Sequence, residues 1–319
     1  MNQKYRGLPM NRNYDVICIG TALVDSIIQG IQPEPVSASG YRAVSGSLHA
    51  GGEAVNQAVA SAKLGLRTGI LCRVGNDEAG ELILRTLEKH SVDTTRIRRE
   101  GMTPVTTLFV HEDGSRKSVT NEAHRYAFHP ETEPERFTDA RAVMLGSLFR
   151  APFDDPEIVF SVVRNAKKAG QLVLADTKLP NFKMMGLEDI RDSLALTDII
   201  TPNEDEAKYF TGKDKPEEMA DVFLQYGVET VIIKLGGKGC FLKNTGQSCR
   251  LDAYPIRAAD TTGAGDHFAA GFISELLRGK TQEEALRFAN ACGAICATET
   301  GAAAALRDRN QVLEWLRNH

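Results

Sequence analysis

The chain has 319 residues, 42% hydrophobic and 25% charged, the balance of an ordinary globular protein that can bury a core without disulfide or metal staples. Lysine and arginine number 38 against 42 aspartate and glutamate, and the formal charge of −4 offers no electrostatic footprint for nucleic acid. No apolar run approaches the roughly 18 residues that span a bilayer, and six scattered cysteines without a C-x-x-C pair suit free thiols in a reducing compartment, so a cytoplasmic protein is expected, with no membrane partner.

The first thirteen residues are polar and read as an unstructured leader. Residues 14–20 (YDVICIG) form a short β-rich run closed by glycine. Residues 51–64 carry small or apolar side chains at Ala54, Val55, Ala58, Val59, Ala62 and Leu64, the spacing of a buried helix that Gly65 ends. A strand is expected over 68–74, and a helix over 77–88 with Leu82, Ile83 and Leu87 on one face. Arg96, Arg98 and Arg99 make a short basic knot, expected as a solvated face. Further strands are expected at 142–148, 172–175, 199–201 and 230–235, and helices at 264–277, 282–298 and 311–316. This alternation predicts a mostly parallel sheet with helices on both faces.

Two stretches interrupt it. Residues 22–47 and 105–121 hold β-rich runs and turn signals, with Asp113-Gly114 as a hairpin signal, and no helical pattern. They are expected to form a small β flap on a larger α/β domain made of 14–21, 48–104 and 122–319.

The chemistry concentrates in Asp260-Thr261-Thr262-Gly263-Ala264-Gly265-Asp266-His267. Small residues at the start of a helix expose backbone amides and the positive end of the helix dipole to an anion. Asp266 falls in the first turn, where a carboxylate can take a proton from an attacking hydroxyl beside a transferring phosphoryl group. His267 is expected to serve packing. A second element, Gly51-Gly52-Glu53-Ala54-Val55-Asn56-Gln57, sets paired glycines before a helix and an amide on an apolar face, a combination suited to a polyol; Asp25 is a candidate third contact. No G-x-x-x-x-G-K-[ST] is present, and the first strand runs into Gly20-Thr-Ala-Leu-Val-Asp rather than G-x-G-x-x-G, which argues against a dinucleotide-binding oxidoreductase. The seven histidines show no zinc-ligand spacing.

GGEAVNQAVASAKLG and DTTGAGDHFAAG resemble the two signature regions of the ribokinase, or PfkB, family of small-molecule kinases. IITPNEDEAKYFTG, VIIKLGGKGCFL and FANACGAICATETGA resemble its N-x-x-E region, its nucleotide hairpin and its C-terminal helix, in family order. The resemblance implies a ribokinase-like three-layer α/β/α sandwich with a small β-sheet lid, and a kinase that uses ATP and Mg²⁺. It places the base at Asp266 and the anion hole at Gly263, Ala264 and Gly265. Sugar contacts fall at Asp25, Gly52 and Asn56, nucleotide contacts at Lys234, Gly236, Gly239 and Asn290, and Mg²⁺ with its waters at Asn203 and Glu206. Asp260 and Thr262 match the loop that binds K⁺ in many members, although Ala302 to Ala305 end that loop without a side-chain oxygen. Arg116 and Lys178 are candidates to close the substrate or phosphate pocket.

The expected reaction is γ-phosphoryl transfer to a primary hydroxyl of a sugar: fructose, ketodeoxygluconate or a ribose-like acceptor. Leu23 stands where ribose-specific relatives carry an amide, and an apolar side chain cannot bond a hydroxyl. The alternatives are a nucleoside kinase of the same fold, with Tyr41, Leu23 and Phe109 against the base, and a non-catalytic ligand-binding module. A homodimer through the lid strands is expected.

Overall fold

The computed structural model describes residues 11–33, 40–110, 116–121, 127–299, 301 and 304–319. Its first strand, Tyr14–Ile19, sends Val16 and Cys18 to one side and Ile17 and Ile19 to the other, and all four are fully buried. A strand buried on both faces requires a sheet covered twice, the usual setting of parallel strands. Tyr14–Ile19 pairs in parallel with Thr68–Leu71 on one flank and Ala140–Leu148 on the other. The sheet continues in parallel through Leu172–Thr177, Ile199–Ile200 and Thr230–Lys234. It ends antiparallel at Cys240–Asn244 and Ser248–Leu251.

The helices, in chain order among the described residues, are α1 (Glu53–Lys63), α2 (Glu78–Lys89), α3 (Pro156–Lys168), α4 (Arg191–Leu194), α5 (Glu204–Thr211), α6 (Pro216–Gln225), α7 (Ala264–Leu277), α8 (Gln282–Cys296) and α9 (Arg309–Asn318). Helices α1, α2, α7 and α8 cover the face of Val16 and Cys18. Helices α3 to α6 cover the face of Ile17 and Ile19. The three-layer sandwich is therefore the one the alternation predicted.

A separate four-stranded sheet is made of Arg116–Thr120, Val105–Val110, Leu23–Gln29 and Ser45–Gly51, in that spatial order. Its register sets Asp25 across from His49 and Thr106. Alternation along the strand then puts Leu23 on the face of Asp25 and Phe109 on the opposite face. That opposite face leaves Leu48 and Val119 more than 60% exposed, at 62% and 63%. The expected turn at Asp113-Gly114 lies outside the described residues, while the strands flanking it pair antiparallel.

The structure corrects three local expectations. The single strand over 68–74 is two: Thr68–Leu71 stays in the main sheet, whereas Arg73–Val74 pairs with Arg98–Arg99. Arg73 explains the departure, since its Nη1 donates to the carbonyls of Glu100 at 2.6 Å and Met102 at 3.0 Å. The basic knot is not a plain solvated face. Arg96 lies 4.3 Å over the Tyr14 ring and bonds Asp139 at 2.6 Å, Arg99 pairs with Glu81 at 2.6 Å, and Arg98 pairs with Glu133. These partners come from distant segments, so the local charge run could not reveal them. Arg12, counted with the leader, donates to the carbonyls of Thr138 and Ala169 at 3.0 and 2.6 Å; residues 1–10 lie outside the described residues. All six cysteines are free, and no helix among the described residues is long and apolar enough to cross a membrane.

Candidate active site

One cleft of about 1100 Å³ is lined by the C-terminal ends of Leu172–Thr177 and Thr230–Lys234 and by Asn203, which follows Ile199–Ile200. Tyr14–Ile19 is flanked by strands that come later in the chain on both sides, and such a switch point opens a crevice above the strand ends. Helix α7 starts there. Gly263 caps it at φ +76°, a conformation that side-chain-bearing residues rarely hold, and no side chain caps the amides that follow. His267 is fully buried, and its Nδ1 donates to the Gly263 carbonyl at 2.9 Å, so the imidazole braces the turn. Burial pushes the His267 pKa down to about 4, which keeps the ring neutral.

Asp266 occupies the first turn of α7 and is buried. Its Oδ2 accepts from Asn56 Nδ2 at 2.9 Å and its Oδ1 from Gln57 Nε2 at 3.3 Å, both on α1. Burial, reinforced by the nearby carboxylates of Glu53 and Asp176, raises its pKa well above the usual carboxylate range despite the Asn56 hydrogen bond. Such a group gains basicity toward a hydroxyl proton.

On one side of Asp266 lies a set of paired polar groups. Lys234 ends its strand with Nζ 2.6 Å from Asp176 Oδ1, which also accepts from Thr201 at 2.9 Å. A Cβ on Gly265 would fall 3.0 Å from that Nζ, so the ammonium sits at the glycine turn itself. Burial works against the Lys234 charge, but Asp176 and Glu206 outweigh it and raise the pKa. Glu206 Oε2 accepts from Thr177 Oγ1 at 2.8 Å and from the Asn203 amide at 2.9 Å, while Asn203 Oδ1 accepts from the Glu206 amide at 2.9 Å. These two residues thus form the capping box of α5 as well as part of the cleft wall. No group of three or more His, Cys, Asp or Glu among the described residues forms a metal cage. The oxygen donors at Asn203 and Glu206 fit a divalent cation held largely through water and phosphate oxygens, as Mg²⁺ prefers.

Gly236 and Gly239 line the same cleft. Gly239 has φ +91°, and a Cβ there would collide with the Leu251 carbonyl, so only glycine allows the turn between the antiparallel strands. Asn290 of α8 also lines the cleft and donates to the Asp252 carbonyl at 2.8 Å.

On the other side, Gly52 caps α1 at φ +93° and Glu53 follows it into the cleft. Glu53 pairs with Lys178 at 2.8 Å. Asp25 approaches from the small sheet; burial and the Glu53 charge push its pKa up to about 6. Arg116 begins its strand, but its side chain lies outside the described residues. Asp260 binds its own loop: Oδ1 accepts from the Thr262 amide and hydroxyl at 3.0 and 2.7 Å, and Oδ2 from the Gly301 amide at 3.1 Å.

Sequence reasoning missed Glu53, Asp176 and Thr177 as members of the cleft and Gln57 as a buried support of Asp266. Gln57 and Glu53 stand in the same motif as Asn56, and Asp176 directly follows a predicted strand, so position was a usable signal for all three.

The pfkB family carbohydrate kinase profile matches residues 14–309. A ribokinase of Haemophilus influenzae is 32% identical over 274 residues, which cover 83% of this chain and 87% of the relative. A 2-dehydro-3-deoxygluconokinase of Bacillus subtilis is 31% identical over 281 residues, covering 82% and 84%. The structure of Arabidopsis thaliana ribokinase complexed with ribose and ATP matches with a TM-score of 0.81 at 28% identity, over 95% of this chain and 99% of that one.

Proposed function

This chain belongs to the pfkB family of carbohydrate kinases, phosphotransferases with an alcohol group as acceptor, and from that premise we propose which residues carry the transfer and to what. The acceptor is a primary hydroxyl of a sugar. One observation carries the reading: a buried carboxylate, fixed by two side-chain amides, stands beside a helix start open to an anion.

Asp266 accepts the hydroxyl proton as the acceptor oxygen bonds to the γ-phosphorus. The bond from that phosphorus to the β–γ bridging oxygen breaks, and its electron pair leaves with ADP. The amides at Gly263, Ala264 and Gly265 hold the charge that develops on the transferring group. Lys234 adds an ammonium at the same place, Gly236 and Gly239 admit the nucleotide, and Asn290 lies by its base. Kinases of this family use ATP with Mg²⁺; Asn203 and Glu206 would order the ion's waters, and the ion when bound neutralises phosphate charge. Asp260 and Thr262 are the proposed K⁺ loop; Ala302 and Ala303 lie outside the described residues.

Asp25, Gly52, Asn56 and Arg116 form the acceptor end. Asn56 has its amide nitrogen on Asp266, so it orients the base and leaves Oδ1 for a sugar hydroxyl. The small sheet acts as a lid that closes over the acceptor and excludes water, which limits ATP hydrolysis. Leu23 shares the face of Asp25, which weighs against ribose. Phe109 lies on the other face and Tyr41 is 72% exposed, so the aromatic platform required for a nucleoside is not assembled by them. Leu48 and Val119, exposed on the outer face, suit a homodimer through the lid.

The test is ADP release from Mg-ATP across ribose, fructose, ketodeoxygluconate, adenosine, inosine and sugar phosphates, with Asp266→Asn as the blank. One sugar that turns over in the parent and not in the variant is the expected result. Turnover confined to a nucleoside would replace the sugar acceptor, and a variant as fast as the parent would remove Asp266 as the base.

A further inference from the structure

The cleft holds two lysine–carboxylate pairs, and they are not alike. Lys234 and Asp176 are 14% and 6% exposed, locked beneath the α7 start by Thr201 and the glycine turn. Lys178 is 39% exposed and meets Glu53 through a single contact at 2.8 Å. Its backbone is anchored, because its amide donates to the Leu148 carbonyl at 2.9 Å, and its side chain lines the cleft on a flexible four-carbon stem. The carboxylates of Glu53, Asp266 and Glu206 all act on its ammonium. Lys178 therefore lines the same cleft as Asp266 and Glu206, the cleft in which the proposed phosphoryl transfer takes place.

Lys178 is 39% and Glu53 19% exposed, so the pair is partly open to solvent and its worth to folding is modest. A cation beside the reacting phosphorus does have a use, since phosphoryl transfer spreads charge over three equatorial oxygens.

We propose that Lys178 is a catalytic residue that donates to a non-bridging oxygen of the transferring phosphoryl group, and that Glu53 is a positioning residue that parks the ammonium until that group arrives. The inference rests on the kinase reading of this cleft. Lys178 forms and breaks no covalent bond; it exchanges one anionic oxygen, on Glu53, for another on phosphorus. Lys234 stays in place throughout as the fixed cation.

The experiment compares binding of Mg-ADP alone with binding of Mg-ADP plus aluminium fluoride, a mimic of the phosphoryl group in flight, by titration calorimetry on the full chain. Lys178→Met should lose about 10–100-fold of the parent's preference for the fluoride complex, the worth of a charge-assisted hydrogen bond, with ADP affinity unchanged. Lys178→Arg should retain most of the preference. Glu53→Gln should increase it, because the ammonium no longer has to leave a carboxylate. A structural salt bridge would instead make Lys178→Met and Glu53→Gln fail in the same direction, and that outcome overturns the proposal. So does a Lys178→Met protein that keeps the parental preference. If Lys178→Met does not fold, the retained preference expected for Lys178→Arg beside the increase expected for Glu53→Gln decides the matter, and a loss of preference in either overturns the proposal. Failure of the parent to bind Mg-ADP at all would sink the kinase reading of the cleft itself, a result distinct from an unchanged fluoride preference.

Discussion

On the side of the cleft proposed for the phosphates each key polar side chain is held by a hydrogen bond: Asp266 by Asn56 and Gln57, Lys234 by Asp176, Glu206 by the Asn203 amide and Thr177. On the proposed acceptor side Gly52 and Asn56 lie at the start of α1, whereas Asp25 belongs to a four-stranded sheet whose residues are mostly half-exposed. The contrast follows from the chemistry. In-line phosphoryl transfer makes the same geometric demand for every acceptor and gains most from groups held rigidly in place. Recognition differs from acceptor to acceptor and is carried by a part that can move and vary.

The largest test of that contrast is Asp266→Asn. Loss of the base should lower kcat by about 10²–10⁴-fold while leaving Mg-ATP binding intact. In the parent, the acidic limb of kcat/KM should lie above the roughly pH 4 of an ordinary aspartate, because only the ionised form accepts the proton and burial raises its pKa. The stability sign is opposite. A carboxyl whose folded pKa is raised binds a proton more tightly in the folded state, so its contribution falls as pH climbs through that pKa. Asp266→Asn removes this loss, and the variant's Tm should exceed the parent's at neutral pH by a margin that shrinks toward pH 4.

A smaller effect is expected of Lys234→Met, which should raise the KM for Mg-ATP about tenfold, the worth of one charge-assisted contact, and leave the acceptor KM alone. A change confined to the acceptor KM would break the division between the two sides. Smallest is Leu23→Asn on the face of Asp25. It should alter relative acceptor KM values by about 3–10-fold, a single hydrogen bond's worth, with ATP kinetics unchanged and stability within about 0.5 kcal/mol of the parent. Steady-state kinetics on the best acceptor and its nearest competitor, with a denaturant curve, measure both.

The sequence by itself determined the sandwich and the uncapped, glycine-led start of α7. Both rest on local requirements: alternating apolar runs mark buried strands, and Gly263, at φ +76°, meets a need of the backbone at its own position whatever lies elsewhere. The family signatures extended this to the nucleotide hairpin and to Asn203 and Glu206. Only the tertiary structure decided which side chains meet. Gln57 reaches Asp266 across 209 residues, and Lys234 reaches Asp176 across 58, because neighbouring parallel strands and the helices above them bring their C-terminal ends to one place. Phe109 looked suited to an acceptor's base until the register with Leu23–Gln29 turned it to the far face. Glu53 and Lys178 each stood in the sequence as an isolated charge. Their meeting depends on the pairing of Ala140–Leu148 with Leu172–Thr177 and on the packing of α1 beside them, which no local pattern encodes.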